Sequence, residues 1–350
     1  MMKRFALILQ ALVAAISLGA QTPTWGLDFE SVFDNREGDG NMTSSKTYFF
    51  TRLAPEVGLR LSDESRIAGG VVWYQPIGCE WEGHRISPTL YYRYEGTAWR
   101  FSMGMFPRKQ LREEMPGFLW SDSMAYHQAN IRGALVQYVD GRSFMDAYLD
   151  WRGMQTRSQR EAFNIVAHAQ WHPRQGDFFV GAHAMMNHLA RRAEDPDDQD
   201  GVVDNFVFNP YVGIDLGRRA VAMDSLMIRG GAVVNVDRDR KFDNRWRVPV
   251  GGWLEVMARY RWLGVKNTLY AGGKLFPHYS TYGPLLYQGE PYFQSSFYNR
   301  TDIYLYILSR REVNLTATLD FNAAKGSFEF YQRLILTVSL DALTFRRKTR

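Results

Sequence analysis

Apolar and polar residues alternate with period two through almost the whole chain after residue 24. The clearest stretch places Val313, Leu315, Ala317, Leu319 and Phe321 on one face and Asn314, Thr316, Thr318 and Asp320 on the other. Side chains of a strand point to opposite sides in turn, so each such stretch predicts a strand with one apolar and one polar face. Sixteen stretches read this way, near 25–34, 46–61, 66–76, 85–94, 97–106, 130–139, 143–153, 161–172, 177–188, 205–216, 225–237, 250–262, 266–276, 300–309, 312–321 and 328–345.

The connections alternate too. Ser62–Ser65, Glu95-Gly96, Asp140–Arg142, Pro173–Gly176 and Leu263–Val265 read as short turns, while 107–129, 189–204, 238–249 and 277–299 are long. All long connections fall on one side and both termini on the other, as in a barrel with short periplasmic turns and long extracellular loops. The apolar face carries no charge over Trp99, Phe101, Met103 and Met105, over Phe163, Ile165, Ala167, Ala169 and Trp171, or over Leu334, Leu336, Val338 and Leu340. A Lys or Arg there would cost about 2–4 kcal/mol at the bilayer midplane. The apolar face is often small rather than bulky, as at Ala167, Ala169, Ala258 and Ala317, which lipid tolerates and an interlocked protein core does not. The pattern predicts an all-β, transmembrane, antiparallel up-and-down β-barrel of about 16 strands, within 14–18.

Composition refines this picture at the ends. Met1-Met2-Lys3-Arg4, an apolar run from Phe5 to Gly19 and the break at Ala20-Gln21 predict a cleaved signal peptide over 1–20, leaving 21–350 as the barrel. No later run offers the roughly 18 uninterrupted apolar residues of a helical span. The formal charge is +5, two units of which leave with Lys3 and Arg4, and Arg346–Arg350 holds four basic residues. A nucleic-acid surface is therefore not expected. Cys79 is the single cysteine, which excludes an intrachain disulfide.

In this pattern the chain resembles Gram-negative outer-membrane porins over its whole mature length, without a sharp motif. Such barrels end in an aromatic residue, and here Phe345 stands at that place, followed by the basic tail. The resemblance implies passive diffusion of small hydrophilic solutes across the outer membrane, contact with outer-membrane lipid, and a possible homotrimer. It also implies that the third outer loop, 107–129, folds inward and narrows the pore. Arg108, Lys109, Arg112, Glu113 and Glu114 open that loop, and the apolar Met115–Trp120 follows. With Arg60, Arg93, Arg100, Arg259 and Arg261 on the inward face, they form the expected pore lining and constriction.

The same faces carry candidate chemistry. His168, His172 and His183 read as inward near Asn164 and Asn187, but no serine stands in register for a Ser–His–Asn set. They are read as polar lumen residues, and no enzymatic activity is expected. The alternatives are a barrel-resident lipid-modifying hydrolase and a non-conducting scaffold for a surface complex. Asp198, Asp200 and Asp204 alternate around Gly201 and could offer oxygen ligands to Ca²⁺. No bidentate glutamate follows, so a solvated acidic loop is the expected state. No phosphate-binding loop, paired zinc ligands or dinucleotide fingerprint implies any other cofactor.

Overall fold

The computed structural model describes residues 22–79, 83–173, 176–194, 200–217 and 223–341. The predicted signal peptide, Asp198, Phe345 and the basic tail lie outside these residues. The strands are β1 (Thr22–Asp39), β2 (Ser44–Arg60), β3 (Ser65–Pro76), β4 (Arg85–Glu95), β5 (Trp99–Pro107), β6 (Asn130–Asp140), β7 (Ser143–Gly153) and β8 (Ala162–Trp171). They continue as β9 (Phe178–Leu189), β10 (Val203–Asp215), β11 (Ser225–Asp239), β12 (Val250–Tyr260), β13 (Leu263–Gly272), β14 (Phe297–Ser309), β15 (Val313–Ala324) and β16 (Ser327–Asp341). Each pairs antiparallel with its sequence neighbours, and β16 returns to β1, closing the barrel. Closure leaves no outer edge strand, the condition for crossing a bilayer with strands.

The two faces are as the period requires. Trp25, Leu90, Met103, Ile165 and Trp171 point outward and are exposed, Val212 by 63%. Asp34, Glu56, Arg93, Asp146, Asp150, Arg229, Glu255, Asp302 and Asp320 point inward and are buried. Aromatic pairs stand at both ends of the wall: Trp99–Tyr138 at 5.0 Å on the periplasmic side and stacked Trp151–Phe163 at 5.1 Å on the outer side.

The wall is uneven. β1 and β2 run for 18 and 17 residues, whereas β4, β5 and β6 have only 11, 9 and 11. One pair before β4 and β5 part at Leu90–Met105, Gly104 (φ +123°) pairs with Tyr91. A Cβ there would lie 2.2 Å from the Leu90 carbonyl oxygen, so no other residue fits this approach.

The sequence reading needs one correction in the wall. β12 was expected to reach residue 262 and to turn at 263–265; instead Tyr260 pairs with Leu263, and Arg261-Trp262 forms the turn. Arg261 adopts φ +53°, its N–H donating to Asp224 Oδ2 at 2.6 Å, and is exposed at the periplasmic rim rather than lining a pore.

The interior is also partly filled, where a barrel of this width alone would leave an aqueous channel. Two loops fill its outer half instead: 108–129, carrying helix α1 (Asp122–His127), and 273–296, carrying helix α2 (Tyr279–Tyr282). Phe118 meets Phe293 and Trp253, each at 5.8 Å, and Leu119, Leu275, Phe276, Leu286 and Tyr287 are buried in the same apolar cluster.

Candidate functional site

The site forms where loop 108–129 leaves the wall. β4 pairs with β3 from Arg85 to Tyr94, but with β5 only from Leu90 to Glu95. β5 ends at Pro107, and the chain turns inward through Arg108–Gln110, the Arg108 N–H donating to the Ala129 carbonyl at 2.8 Å. The side of β4 facing β5 therefore has no strand neighbour over Arg85–Thr89. Pro88 lies in this stretch, has no N–H to satisfy, and its carbonyl accepts from Asn130 Nδ2 at 3.4 Å.

Behind this open stretch lies a cavity of about 220 Å³. Val72, Tyr74, Ser87, Arg52, Tyr126 and His127 face it from the lumen, and Ile86, Met105 and Arg132, which alternate onto the lipid face, border it as well. Residues of both parities border this one cavity where β5 no longer runs beside β4. The wall is open here.

α1 is held across the lumen by contacts on every side. Ser121 caps it, accepting from the Met124 N–H at 3.3 Å. Tyr126 Oη donates to Asp34 Oδ2 at 2.9 Å, Arg36 Nη1 donates to Ser123 Oγ at 3.0 Å, and Arg52 Nη1 donates to the Ala125 carbonyl at 3.2 Å. Asp122 Oδ2 lies 2.8 Å from Arg300 and 2.9 Å from Arg333 on the opposite wall. Burial pushes the Asp122 carboxyl up, but Arg300, Arg333 and Arg36 outweigh it and hold it below the usual carboxylate range. Glu290, buried and close to Asp122, is shifted the other way, above its usual range.

His127 ends α1 with its imidazole exposed to the cavity between Tyr48 and Tyr74, at ring separations of 5.9 and 5.4 Å. Desolvation, followed by the positive charges of Arg85, Lys46, Arg36 and Arg52, lowers it to about 4. The imidazole is therefore neutral at physiological pH and able to take a proton. Among the described residues no hydrogen bond joins it to Ser87, the one β4 hydroxyl facing the same cavity.

A larger chamber of about 790 Å³ adjoins on the periplasmic side, sharing Arg52, Val72, Tyr126, Gln128, Ala129 and Asn130 with the first. Several expected constriction residues meet here, and most are paired. Arg108 bonds Asp150 at 2.5 Å and stacks on Trp120 at 3.9 Å; Lys109 pairs with Asp28; Glu113 pairs with Arg229 at 3.1 Å. The Arg112 N–H donates to Asp146 Oδ2 at 2.7 Å, and Glu114 lines the chamber.

The wall residues of the expected lining are scattered. Arg93 is buried among Glu95, Ser102, Gln110 and Gln137, and Arg259 stacks on Tyr306 at 3.9 Å. Arg60 and Arg100 sit at the periplasmic ends of β2 and β5, outside the chamber lining. The three strand histidines are packed, not poised: His168 and His183 stack at 4.0 Å, and His168 Nε2 bonds Tyr211 Oη at 2.8 Å. Of the calcium candidates, Asp200 lies 2.9 Å from Arg192, and Asp204 bonds Arg238 at 2.7 Å and Arg240 at 2.6 Å. Arginines surround these oxygens.

A family model described as lipid A 3'-O-deacylase-type matches residues 21–346. No curated protein matches the chain. Among solved structures, a loop L8 deletion mutant of OmpT from Vibrio cholerae is 11% identical, with a TM-score of 0.54 over 92% of this chain and 100% of that one. An anion-selective porin from Comamonas acidovorans is 10% identical, with a TM-score of 0.53 over 91% and 99%. Pseudomonas putida OprB is 8% identical, with a TM-score of 0.52 over 92% and 94%. At these identities the likeness is one of fold, that of outer-membrane channel barrels. The family match overturns the expectation of no enzymatic activity, because a deacylase family is one of hydrolases. The strand-face histidines stand out in the sequence and His127 does not, because its ring partners, Tyr48 on β2 and Tyr74 on β3, are far from it along the chain.

Proposed function

The chain belongs to the lipid A 3'-O-deacylase-type family, and from that membership we propose that it is an outer-membrane esterase acting on acyl lipids of lipid A type. One observation supports this above the others. A neutral imidazole, His127, faces a cavity bordered by both lumenal and lipid-facing residues. Ester hydrolysis needs a base for the attacking water, cationic or N–H groups near the developing oxyanion, and access for a substrate whose chains stay in the membrane.

In this reading His127 takes a proton from water supplied by the adjoining chamber. The resulting hydroxide adds to the ester carbonyl, whose oxygen becomes an alkoxide facing the cations of Arg52 and Arg85. Collapse breaks the bond to the leaving alcohol, and the imidazolium returns its proton to that oxygen. The products are a free fatty acid and the lipid with one hydroxyl restored. Ser87 makes no hydrogen bond to His127, so this reading takes water as the nucleophile and involves no acyl-enzyme.

The purified barrel, mixed with lipid A in detergent, is expected to release 3-hydroxyacyl or simple fatty acids detectable by mass spectrometry. Ser87→Ala should leave the rate nearly unchanged, since the attacking oxygen is that of water and not the Ser87 hydroxyl. Absence of fatty-acid release from every ester lipid offered would remove the esterase reading.

A second reading, passive diffusion of small hydrophilic solutes, is supported by the charged 790 Å³ chamber and the channel-type fold. The apolar plug restricts it. Deleting residues 109–120 removes Phe118 and Leu119 from that plug, and larger ohmic steps in planar bilayers are then expected. Unchanged conductance would count against a pore beneath this loop.

A further inference from the structure

The opening beside β4 has a place and a chemistry of its own. On β5, Met105 lies six residues above Trp99, roughly 20 Å along a strand. With strands tilted at 35–45° that is about 14–16 Å up a band about 25 Å tall, and the open stretch of β4 from Thr89 to Arg85 climbs roughly 10 Å further, to the outer-leaflet interface. Its outer border carries Ile86, 57% exposed, Met105 and one cation, Arg132. Arg85 stands on its lumenal border. Among the described residues neither arginine takes part in an ion pair. A slot with an apolar outer rim of Ile86 and Met105, flanked by two unpaired guanidinium groups, matches an amphiphile with acyl chains in the membrane and a phosphate at the interface, since guanidinium binds phosphate through two parallel N–H bonds.

We propose that the unpaired stretch of β4 is a lateral doorway in the barrel wall, through which one acyl chain of an outer-leaflet phospholipid or glycolipid phosphate passes, with Arg132 and Arg85 positioning the phosphate. The proposal rests on the esterase reading for its purpose but not for its measurement, because binding is read without turnover.

The test uses the full-length His127→Ala barrel, so that bound lipid stays intact. Native mass spectrometry from detergent compares retention of dioleoyl phosphatidic acid with that of dioleoyl phosphatidylcholine. The His127→Ala barrel should retain one phosphatidic acid at least tenfold better than phosphatidylcholine. Adding Arg132→Gln and Arg85→Gln should abolish that preference. Ile86→Trp, which fills the slot and leaves both charges, should lower retention of both lipids. Arg132→Gln alone serves if the double charge variant fails to assemble. Equal retention of the two lipids, or a preference untouched by the arginine changes, would overturn the doorway. So would displacement of the lipid by millimolar inorganic phosphate, which would mark a plain anion site. A barrel that binds phosphatidic acid as described but releases no fatty acid in its wild-type form would sink the esterase reading and leave the doorway standing.

Discussion

Arg300→Ala is expected to release the inward loop from the wall and to destabilise the barrel more than any other single change described. Arg300 on β14 lies 2.6 Å from Asp302, 2.8 Å from Asp122, and 3.7 Å from both Glu290 and Asp320. Arg333 also serves Asp122 and Asp320, at 2.9 and 2.5 Å. Deleting Arg300 leaves four acids with Arg333 and Arg36 alone. Breaking a buried ion pair by removing one partner costs about 3–5 kcal/mol, because the remaining charge stays desolvated. The loss falls on α1, since Asp122 is its attachment to this side of the lumen. Protease cleavage within 108–129 should appear, with a lowered temperature for loss of the heat-modifiable band on gels. Arg300→Lys should recover only part of the stability, because one ammonium cannot bridge carboxylates as a planar guanidinium does. A protected loop and unchanged melting in Arg300→Ala would show that the network does not hold α1.

His127→Asn is expected to lower fatty-acid release by about 10²–10⁴-fold, the usual worth of a positioned general base, with the barrel still closed. The pH dependence carries a definite sign. A base at about 4 is unprotonated through the neutral range, so the rate should be flat there and fall as pH drops through about 4. The stability effect starts earlier. In the unfolded chain histidine titrates near 6.5 and binds a proton that the folded imidazole refuses, so stability is full above about 6.5 and declines as pH falls toward 4. Loop protection should therefore weaken before the rate does, and His127→Asn should remove that part of the acid sensitivity. A rate with its midpoint near 6.5, or full activity in His127→Asn, would dismiss His127 as the base.

The wall of this protein was legible because its solvent is different on each side. Period-two alternation placed Trp99, Met103, Ile165 and Leu334 outside and Asp146, Arg229 and Asp320 inside, and the loop lengths placed the long connections on one end. Local rules failed where distant residues decide. Arg261 looked like one more wall position, yet a two-residue turn with positive φ claimed it. The inward fold of 107–129 followed from the resemblance. What it does inside is set by Asp34, Arg36, Arg300 and Arg333, brought together only by closure of β16 on β1. The truncated β5 was equally hidden. Its alternation runs on to Phe106, and nothing in the pattern says that β4 will outlast it.

Pro88 sets one more limit on this barrel's behaviour. Bare strand margins invite foreign segments to zip onto them and seed aggregates. At Pro88 the incoming segment would find no amide hydrogen, and the carbonyl already has the Asn130 amide against it. A neighbouring molecule could lend that margin neither a complete ladder nor a lasting seam, so the break in the cylinder stays unmended even in a crowded membrane.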